Sequence, residues 1–386
     1  MLQRIAFRWF PRVARVAPKT MLRGCVALVG LAALGAMVGC YTDYSGASFV
    51  GPGQQQNNAL WVANGSNVVE FLPSQLQNGV SAPVPHLMLN SAAFGAPQGV
   101  VFDQNGDLWV IDGGTVATGG KVAPALFEFT PTQLAKLGTV NNPTPAVTIE
   151  SSSFKFPQQA AFDLRGNLWV TDNGSNAIYV FTVAQQAATA MSATPAVKVT
   201  SAPAFNGPLG IAFDYSGNLY VANNGTTTIF GFKARTLPTV GNASSGTSNL
   251  VPSVTLSDDG SGSVQGPWGL AFDSYGDLWS TNSNAPNTVV GYSPAQLAMG
   301  GALTPSLTFT SVAVSGNQTL VAPNGIAFDM YGDVVVDSSA APFGLAGYGT
   351  EQQVTTNTSG PVPDVFLVGS ATKLNAPAGI TFGPSF

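Results

Sequence analysis

The sequence predicts an all-β protein built from one repeated β-hairpin. Within residues 210–225, an apolar run from Ile211 to Phe213 is followed by a turn and by a second apolar run, Leu219 to Ala222. The turn carries Asp214, which can accept backbone N–H bonds, and Gly217, which can take a positive φ. The hairpin recurs every 51 to 60 residues, around Phe102, Phe162, Phe213, Phe272 and Phe328. Such a period indicates a repeat architecture.

The first 39 residues predict an export signal. They hold six of the 14 Lys and Arg residues and no acidic residue, followed by an apolar run from Val26 to Val38. That run is shorter than the roughly 20 residues of a membrane span. Its end, Met37-Val-Gly-Cys40, resembles the lipobox of bacterial lipoproteins, which implies that Cys40 is lipidated and becomes the mature N-terminus. An uncleaved signal anchor is the alternative, and either Met1 or Met21 could start the chain.

The resemblance implies three regions and a location. We expect a signal peptide at 1–39, a flexible tether at 40–58 and one folded domain at 59–386. We expect the protein in the bacterial cell envelope, held on a membrane by the lipid at Cys40. The outer membrane is favoured because Tyr41 follows the cysteine, where an Asp would resemble an inner-membrane retention signal. Cys25 lies in the signal, so the mature chain cannot form an intrachain disulfide.

The composition of the mature chain excludes nucleic-acid partners. Without the signal, eight basic residues stand against 19 acidic ones, a net charge near −11. Nucleic acids need clustered Lys and Arg. Hydrophobic residues are 45% of the chain, which indicates a folded domain and excludes a disordered one.

The two ends of the domain predict how it closes. Six segments begin with Pro and continue as an apolar strand, yet only five complete hairpins are present. Residues 376–383 supply a sixth first strand at the C-terminus, and residues 59–65 supply its second strand at the N-terminus. The sequence therefore predicts a six-bladed β-propeller closed by pairing of the N- and C-terminal strands, and we expect a monomer.

The repeat can be compared with a known family. The pattern Pro208-Leu-Gly-Ile-Ala-Phe-Asp214, followed by Gly217-Asn-Leu-Tyr-Val221, resembles the NHL repeat. It is also similar to the wider group of six-bladed propellers that includes the SMP-30/gluconolactonase-like enzymes. The resemblance covers residues 59–386 and implies the fold. Its members serve as scaffolds, ligand binders, lactonases and lyases, so it leaves the function open.

Alignment of the repeats gathers two rings of side chains at one face of the propeller. The strand-end ring is the last residue of each second strand: Asn64, Asp112, Asp172, Asn223, Asn282 and Ser338. The mouth ring is the residue after the Pro of each first strand: Gln98, Gln158, Leu209, Trp268, Asn324 and Ala378. Carboxylates and amides suit a hard cation such as Ca²⁺, and amides beside a Trp suit a sugar-like ligand. Alternatively, each Asn or Asp caps its own turn.

Two functions follow from these rings. One is a non-catalytic module that binds a protein or a glycan through Trp268, Gln98, Gln158 and Asn324. The other is a metal-dependent lactonase or lyase with Asp112, Asp172, Asn223, Asn282 and Asn64 as candidate ligands. SMP-30-like enzymes hold their metal with a Glu, an Asn and an Asp, and no Glu aligns with the mouth here. The single histidine, His86, is expected on an exposed outer strand. The sequence therefore favours the binding module.

The lipid anchor is directly testable. Cys40→Ala should abolish labelling by a fatty-acid precursor and leave the protein unprocessed or released. The several acyl chains of a bacterial lipoprotein hold it stably on the membrane, and the variant would carry none of them. Membrane fractionation and metabolic labelling of the wild type and the variant measure this. Equal labelling and equal membrane retention would contradict the assignment.

Overall fold

The computed structural model describes residues 59–77, 82–117, 120–137, 142–241, 246–354 and 360–386. The predicted signal and tether, with Cys40, lie outside the described residues. None of the helices within these ranges is long and apolar enough to cross a membrane.

The regular secondary structure of the described chain is almost entirely β-strand. Up to residue 201 the strands are β1 (Ala59–Asn64), β2 (Asn67–Phe71), β3 (Leu87–Leu89), β4 (Pro97–Phe102), β5 (Leu108–Asp112), β6 (Thr115–Ala117), β7 (Gly120–Val122), β8 (Ala125–Phe129), β9 (Val147–Glu150), β10 (Pro157–Phe162), β11 (Leu168–Asp172), β12 (Ala177–Phe181) and β13 (Val197–Ser201).

The second part of the chain continues the same pattern. Its strands are β14 (Pro208–Phe213), β15 (Leu219–Asn223), β16 (Thr228–Phe232), β17 (Gly246–Leu250), β18 (Val254–Ser257), β19 (Pro267–Phe272), β20 (Leu278–Asn282), β21 (Thr288–Tyr292), β22 (Gly301–Ala302), β23 (Leu307–Thr310), β24 (Ala313–Val314), β25 (Asn317–Gln318), β26 (Pro323–Phe328), β27 (Val334–Ser338), β28 (Gly344–Tyr348), β29 (Val365–Val368) and β30 (Pro377–Gly383).

Short helical turns join the third strand of several blades to the fourth. Three are α-helical: α1 (Pro131–Leu134), α2 (Val183–Gln186) and α3 (Pro294–Met299). Each begins at a Ser or Thr whose side chain caps the helix, with a Gln three residues later that completes a capping box. Three 3₁₀ turns lie in the same kind of connection: Pro73–Gln75, Ala234–Thr236 and Gln352–Val354. Two others, Asn173–Ser175 and Asn224–Thr226, lie between a second and a third strand, and Ser370–Thr372 lies between β29 and β30.

The long strands form six antiparallel sheets, which we number as blades. Blade 1 is β4-β5-β8-β9, blade 2 is β10-β11-β12-β13, blade 3 is β14-β15-β16-β18, blade 4 is β19-β20-β21-β23, blade 5 is β26-β27-β28-β29 and blade 6 is β30-β1-β2-β3. The first strand of each blade contacts the first strands of its two neighbours, which closes a ring around an axis. The predicted six-bladed β-propeller is confirmed.

Blade 6 joins the two ends of the described chain. The C-terminal β30 pairs with the N-terminal β1, and the register places Leu60 opposite Phe382 and Val62 opposite Ile380. Both faces of β1 are buried, as in the second strand of every other blade. The predicted closure by terminal strands is therefore confirmed.

The hairpin turns have the predicted chemistry. In blade 2, Asp163 Oδ1 accepts the backbone N–H groups of Arg165 and Asn167 at 2.8 and 3.0 Å. Gly166 has a φ of +79°, which L-residues rarely adopt. The aspartates at 103, 214, 273 and 329 accept the same pair of backbone bonds.

The hydrophobic core lies between the blades. An aromatic residue at the second position of a second strand faces the first-strand Phe of the next blade. Trp169 and Phe213 meet edge to face with ring centroids 5.6 Å apart, and Trp279 and Phe328 do the same at 5.6 Å. Edge-to-face pairs add stabilisation beyond the buried area, so these contacts hold each blade to the next.

Two blades carry a fifth strand that the sequence did not predict. β17, from the connection within blade 3, adds in parallel to β13 of blade 2, and β22, from blade 4, adds to β18 of blade 3. The strand β17 is short and polar, which suits an exposed edge.

Candidate functional site at the propeller mouth

The first strands approach one another closely at the axis. Five of the six carry a glycine two residues after the starting Pro, at positions 99, 210, 269, 325 and 379. A Cβ on Gly99 would lie 2.7 Å from the carbonyl oxygen of Gln158, and one on Gly379 would lie 2.8 Å from that of Gln98. Neither contact leaves room for a side chain, so glycine is required for steric reasons.

Gln159 occupies the sixth of these positions. Its Nε2 donates to the carbonyl oxygens of Gln98 at 2.8 Å and Ala378 at 3.0 Å. One side chain of blade 2 thus links blade 1 to blade 6. A cavity of only about 40 Å³ remains at the axis, which is room for little more than water. It is lined by glycines and apolar residues together with Gln159 and Thr381. A ligand of any size must therefore bind at a face of the propeller.

The mouth ring surrounds this axis. The carbonyl oxygens of Gln158, Trp268 and Asn324 each face the axial glycine of the preceding blade, which puts these residues beside the axis. Gln158 and Asn324 are buried, whereas Gln98 and Trp268 are half-buried. The structure thus brings the predicted ligand-binding residues to one end of the axis.

Three members of the mouth ring have polar atoms without a hydrogen-bond partner. They are Gln158 Nε2, Trp268 Nε1 and Asn324 Oδ1, all buried. Gln98 differs, because its Nε2 donates to the Ala96 carbonyl at 3.2 Å. Leaving a buried donor or acceptor unpaired costs about 1–3 kcal/mol. Ten such atoms occur among the described residues, and three of them, two donors and one acceptor, lie in this one ring.

The strand-end ring has a different role in the structure. Asp112 accepts backbone N–H bonds from Gly95, Ala96 and Gly114 at 2.7–3.2 Å. Asp172 accepts them from Lys155, Phe156 and Ser175 at 2.8–3.3 Å. Burial raises the pKa of Asp112, and these three backbone bonds oppose that rise. Each carboxylate thereby ties the end of its second strand to the segment that leads into the first.

The other members of the strand-end ring form equivalent hydrogen bonds. Asn64, Asn223 and Asn282 accept a backbone N–H from Asn375, Asn206 and Gln265, and Ser338 accepts one from Val321. The residues predicted as Ca²⁺ ligands are Asp112, Asp172, Asn223, Asn282 and Asn64, and their oxygens face backbone N–H groups. Across the described residues, no three His, Cys, Asp or Glu side chains are grouped to hold a metal ion. This geometry supports a structural role, with one difference from the predicted capping. Of the six residues, only Asp112 and Asp172 also accept a backbone N–H from their own turn, whereas all six bond the segment that leads into the first strand.

Sequence reasoning missed two residues at the mouth. Gln159 was visible as a break in the glycine pattern, but its bond across the axis depends on the neighbouring blades. Phe156 is 40% exposed. Its ring lies so close to Gly113 that a Cβ built on this glycine would be 2.6 Å from a ring carbon. That Cβ would also lie 3.3 Å from Gln98 Cγ, so an exposed aromatic face borders the mouth ring.

His86 is exposed, as predicted, and directly precedes the outer strand β3. Its Nδ1 lies 2.8 Å from Oε2 of Glu70, and the His86 side chain is 38% exposed whereas that of Glu70 is fully buried. Burial raises the pKa of Glu70, and the hydrogen bond and charge of His86 oppose the rise. Glu70 lies on the third strand of blade 6, so this pair is separate from the mouth.

Asp337 introduces a buried carboxyl group beside the axis. Blades 2 and 4 have a threonine at this strand position, and each donates its hydroxyl to a carbonyl of the next blade at 2.6 Å: Thr171 to Leu209 and Thr281 to Asn324. Asp337 accepts from the Asn324 N–H at 3.3 Å, and its Oδ2 has no partner. Burial raises the pKa of Asp337 to about 7, since the backbone bonds only partly offset the loss of water.

Comparison with known proteins shows the fold. No protein-family model matches the chain, and no curated protein matches it. A Bacteroides caccae protein of unknown function aligns with a TM-score of 0.55 at 10% identity, over 85% of this chain and 99% of that one. A Bacteroides fragilis protein provisionally assigned as a 6-phosphogluconolactonase aligns with a TM-score of 0.51 at 12% identity, over 86% of this chain and 99% of that one. A chain of the nidogen/laminin complex aligns with a TM-score of 0.50 at 14% identity, over 84% of this chain and 98% of that one.

At sequence identities this low, the alignments show similarity of fold only. Together with the sheet topology, they define the class of the chain as a six-bladed β-propeller. Its mouth combines unpaired buried polar atoms with a nearby exposed aromatic ring.

The buried Asp337 predicts a pH dependence of stability. Between about pH 4 and pH 7, Asp337 keeps its proton in the folded protein but has released it in the unfolded chain. The free energy of unfolding therefore falls as pH rises through this range. Asp337→Asn should remove this contribution. The gain in stability of the variant over wild type should therefore be larger at pH 8 than at pH 4.5, by on the order of 2–4 kcal/mol.

Urea unfolding at the two pH values measures this difference. The exposed Glu351, changed to Gln, is the control and should give the same small effect at both pH values. A gain for Asp337→Asn that does not depend on pH would show that Asp337 is ionised in the folded protein.

Proposed function

We propose that the chain is an exported, lipid-anchored NHL-like propeller of the bacterial cell envelope, which binds a protein or glycan ligand at the mouth ring without catalysis. The observation that carries the proposal is the set of unpaired atoms at Gln158, Trp268 and Asn324. A hydroxyl group both donates and accepts, so a ligand with several hydroxyls matches the two donors and one acceptor. The backbone amides of a peptide supply the same two capacities.

The aromatic residues support the same function. Trp268 is half-buried and Phe156 is 40% exposed beside Gln98. A sugar ring or an apolar peptide side chain can pack on such rings while its polar groups reach the amides. Mixed apolar and polar surfaces of this kind are typical of ligand sites.

The lactonase or lyase alternative has less support. It would use Asp112 and Asp172 as metal ligands, and each of these accepts three backbone N–H bonds. Releasing either carboxylate would leave those N–H groups unpaired next to the first strand. The fold does not decide between the two functions, because similar folds occur both in a presumed lactonase and in the nidogen/laminin complex.

The proposal predicts a specific loss of affinity. A panel of oligosaccharides and peptides is first screened against the purified protein by calorimetry. For any compound that binds, Trp268→Phe should weaken binding about 5- to 100-fold, because it keeps a ring but removes the Nε1 donor.

A matched variant separates this effect from a general one. Trp109 also has a buried, unpaired Nε1 but lies in the core between blades 1 and 2, so Trp109→Phe should leave the affinity unchanged. Equal affinities for Trp268→Phe and wild type would refute the site. Lactone hydrolysis that needs added Ca²⁺ and is lost in Asp172→Ala would refute the non-catalytic assignment.

A further inference from the structure

The interface between blades 5 and 6 lacks the aromatic residue found at the other five. When the six second strands are aligned, one position holds a Trp or a Tyr in five blades and a valine in blade 5. The residues at this position are Trp61, Trp109, Trp169, Tyr220, Trp279 and Val335. Four of the rings meet the next blade's first-strand Phe edge to face, with centroids 5.2–5.8 Å apart. Val335 faces Phe382 in the same way but is far smaller. The apolar wall at this interface is therefore built from a smaller side chain than in the other five blades.

A cavity of about 340 Å³ lies at this interface, on the hairpin face opposite the mouth. Val335, Leu345 and Phe382 form its apolar wall, and each is at most 6% exposed. Its volume falls within the range of small-molecule sites, about 300–1,000 Å³. We call this cavity the blade 5–6 groove.

The corresponding groove between blades 2 and 3 provides an internal comparison. It has a similar volume, about 330 Å³, but Trp169 forms part of its wall and no residue of the third strand of blade 2 lines it. The blade 5–6 groove extends to Leu345 and Gly347 on the third strand of blade 5. The two grooves therefore have nearly equal volumes and differ in the residues that line them.

The two grooves also differ in charge. Three carboxylates line the blade 5–6 groove, from Asp329, Asp333 and Asp364, and no basic residue lines it. In the blade 2–3 groove, Asp163 is accompanied by Arg165 and Arg235. An unbalanced cluster of negative charge favours a cation in the first groove and not in the second.

Asp329 receives no hydrogen bond from an indole, unlike two of the other hairpin aspartates. In blades 2 and 4, the indole Nε1 donates to the hairpin aspartate at 3.0 Å: Trp169 to Asp163 and Trp279 to Asp273. Blade 5 has no indole to offer Asp329. Burial, and then the charge of Asp333, raise the pKa of Asp329 to about 6, so at neutral pH it is ionised at a cost in free energy. Asp333 and Asp364 accept backbone N–H bonds from Thr350 and Gly349, whereas the two backbone bonds to Asp329 both reach its Oδ1.

We propose that the blade 5–6 groove binds an arylalkylamine, with its flat ring against Val335 and Phe382 and its ammonium group on Asp329. The ring packs on the apolar wall at the position where four other blades place an indole, and the ammonium group supplies Asp329 with a charged donor. This site is independent of the mouth ring and of the function proposed for it. Either can hold without the other.

The test uses the full-length protein and tryptamine, which joins an indole to an ammonium group. Calorimetry should show one site in the wild type. Tryptophol, which has a neutral hydroxyl instead of the ammonium, should bind at least 10-fold more weakly. Asp329→Asn should weaken tryptamine at least 10-fold, since an amide keeps the Oδ1 acceptor of the turn but removes the charge.

Two further variants complete the design. Val335→Trp fills the groove and should abolish tryptamine binding. Asp214→Asn changes the equivalent turn of blade 3, where Asn218 already donates to the carboxylate, and should leave binding unchanged. If Val335→Trp does not fold, the Asp329→Asn and tryptophol comparisons decide. Absence of tryptamine binding to the wild type, equal binding of tryptophol, or unchanged affinity in Asp329→Asn would overturn the proposal.

Discussion

The fold depends on how closely six backbones approach at one axis. At Gly99, Gly325 and Gly379, a Cβ would lie less than 3 Å from main-chain atoms of a neighbouring blade. Such contacts are incompatible with any side chain. Glycine at five positions allows the approach, and at the sixth Gln159 bonds to blades 1 and 6. The narrow axis then fixes the wedge shape of the blades, whose aromatic residues fill the widening space outside.

This constraint decides where function can reside. Because the axis holds a cavity of only about 40 Å³, the propeller offers its two faces and the grooves between its blades. At the mouth, the side chains of the strand-end ring accept hydrogen bonds from backbone N–H groups. The mouth ring, by contrast, has buried polar atoms without a hydrogen-bond partner. On the other face, the groove between blades 5 and 6 is lined by three carboxylates and by a valine where the other blades have an aromatic residue.

The sequence was sufficient for the architecture because the signals of a propeller are local and repeated. Each Asp–Gly turn is fixed by its own backbone bonds, and the unmatched first and second strands at the two ends indicated how the ring closes. The site was only partly predictable. The ring positions follow from alignment, but the roles of Asp112 and Asp172 depend on N–H groups about 16 residues away. The link made by Gln159 and the groove at Val335 depend on neighbouring blades, although both appear in the alignment as departures from glycine and from tryptophan.

The close approach at the axis is tested most directly by adding one methyl group. Gly210 packs against the Trp268 carbonyl with no room for a Cβ, whereas Gly246 on the outer strand β17 has nothing within 4 Å of that position. Urea unfolding should show that Gly210→Ala lowers the free energy of unfolding by about 1–3 kcal/mol or more. Gly246→Ala should leave it unchanged or raise it by up to about 1 kcal/mol. Equal stabilities for the two variants would contradict this account of the propeller.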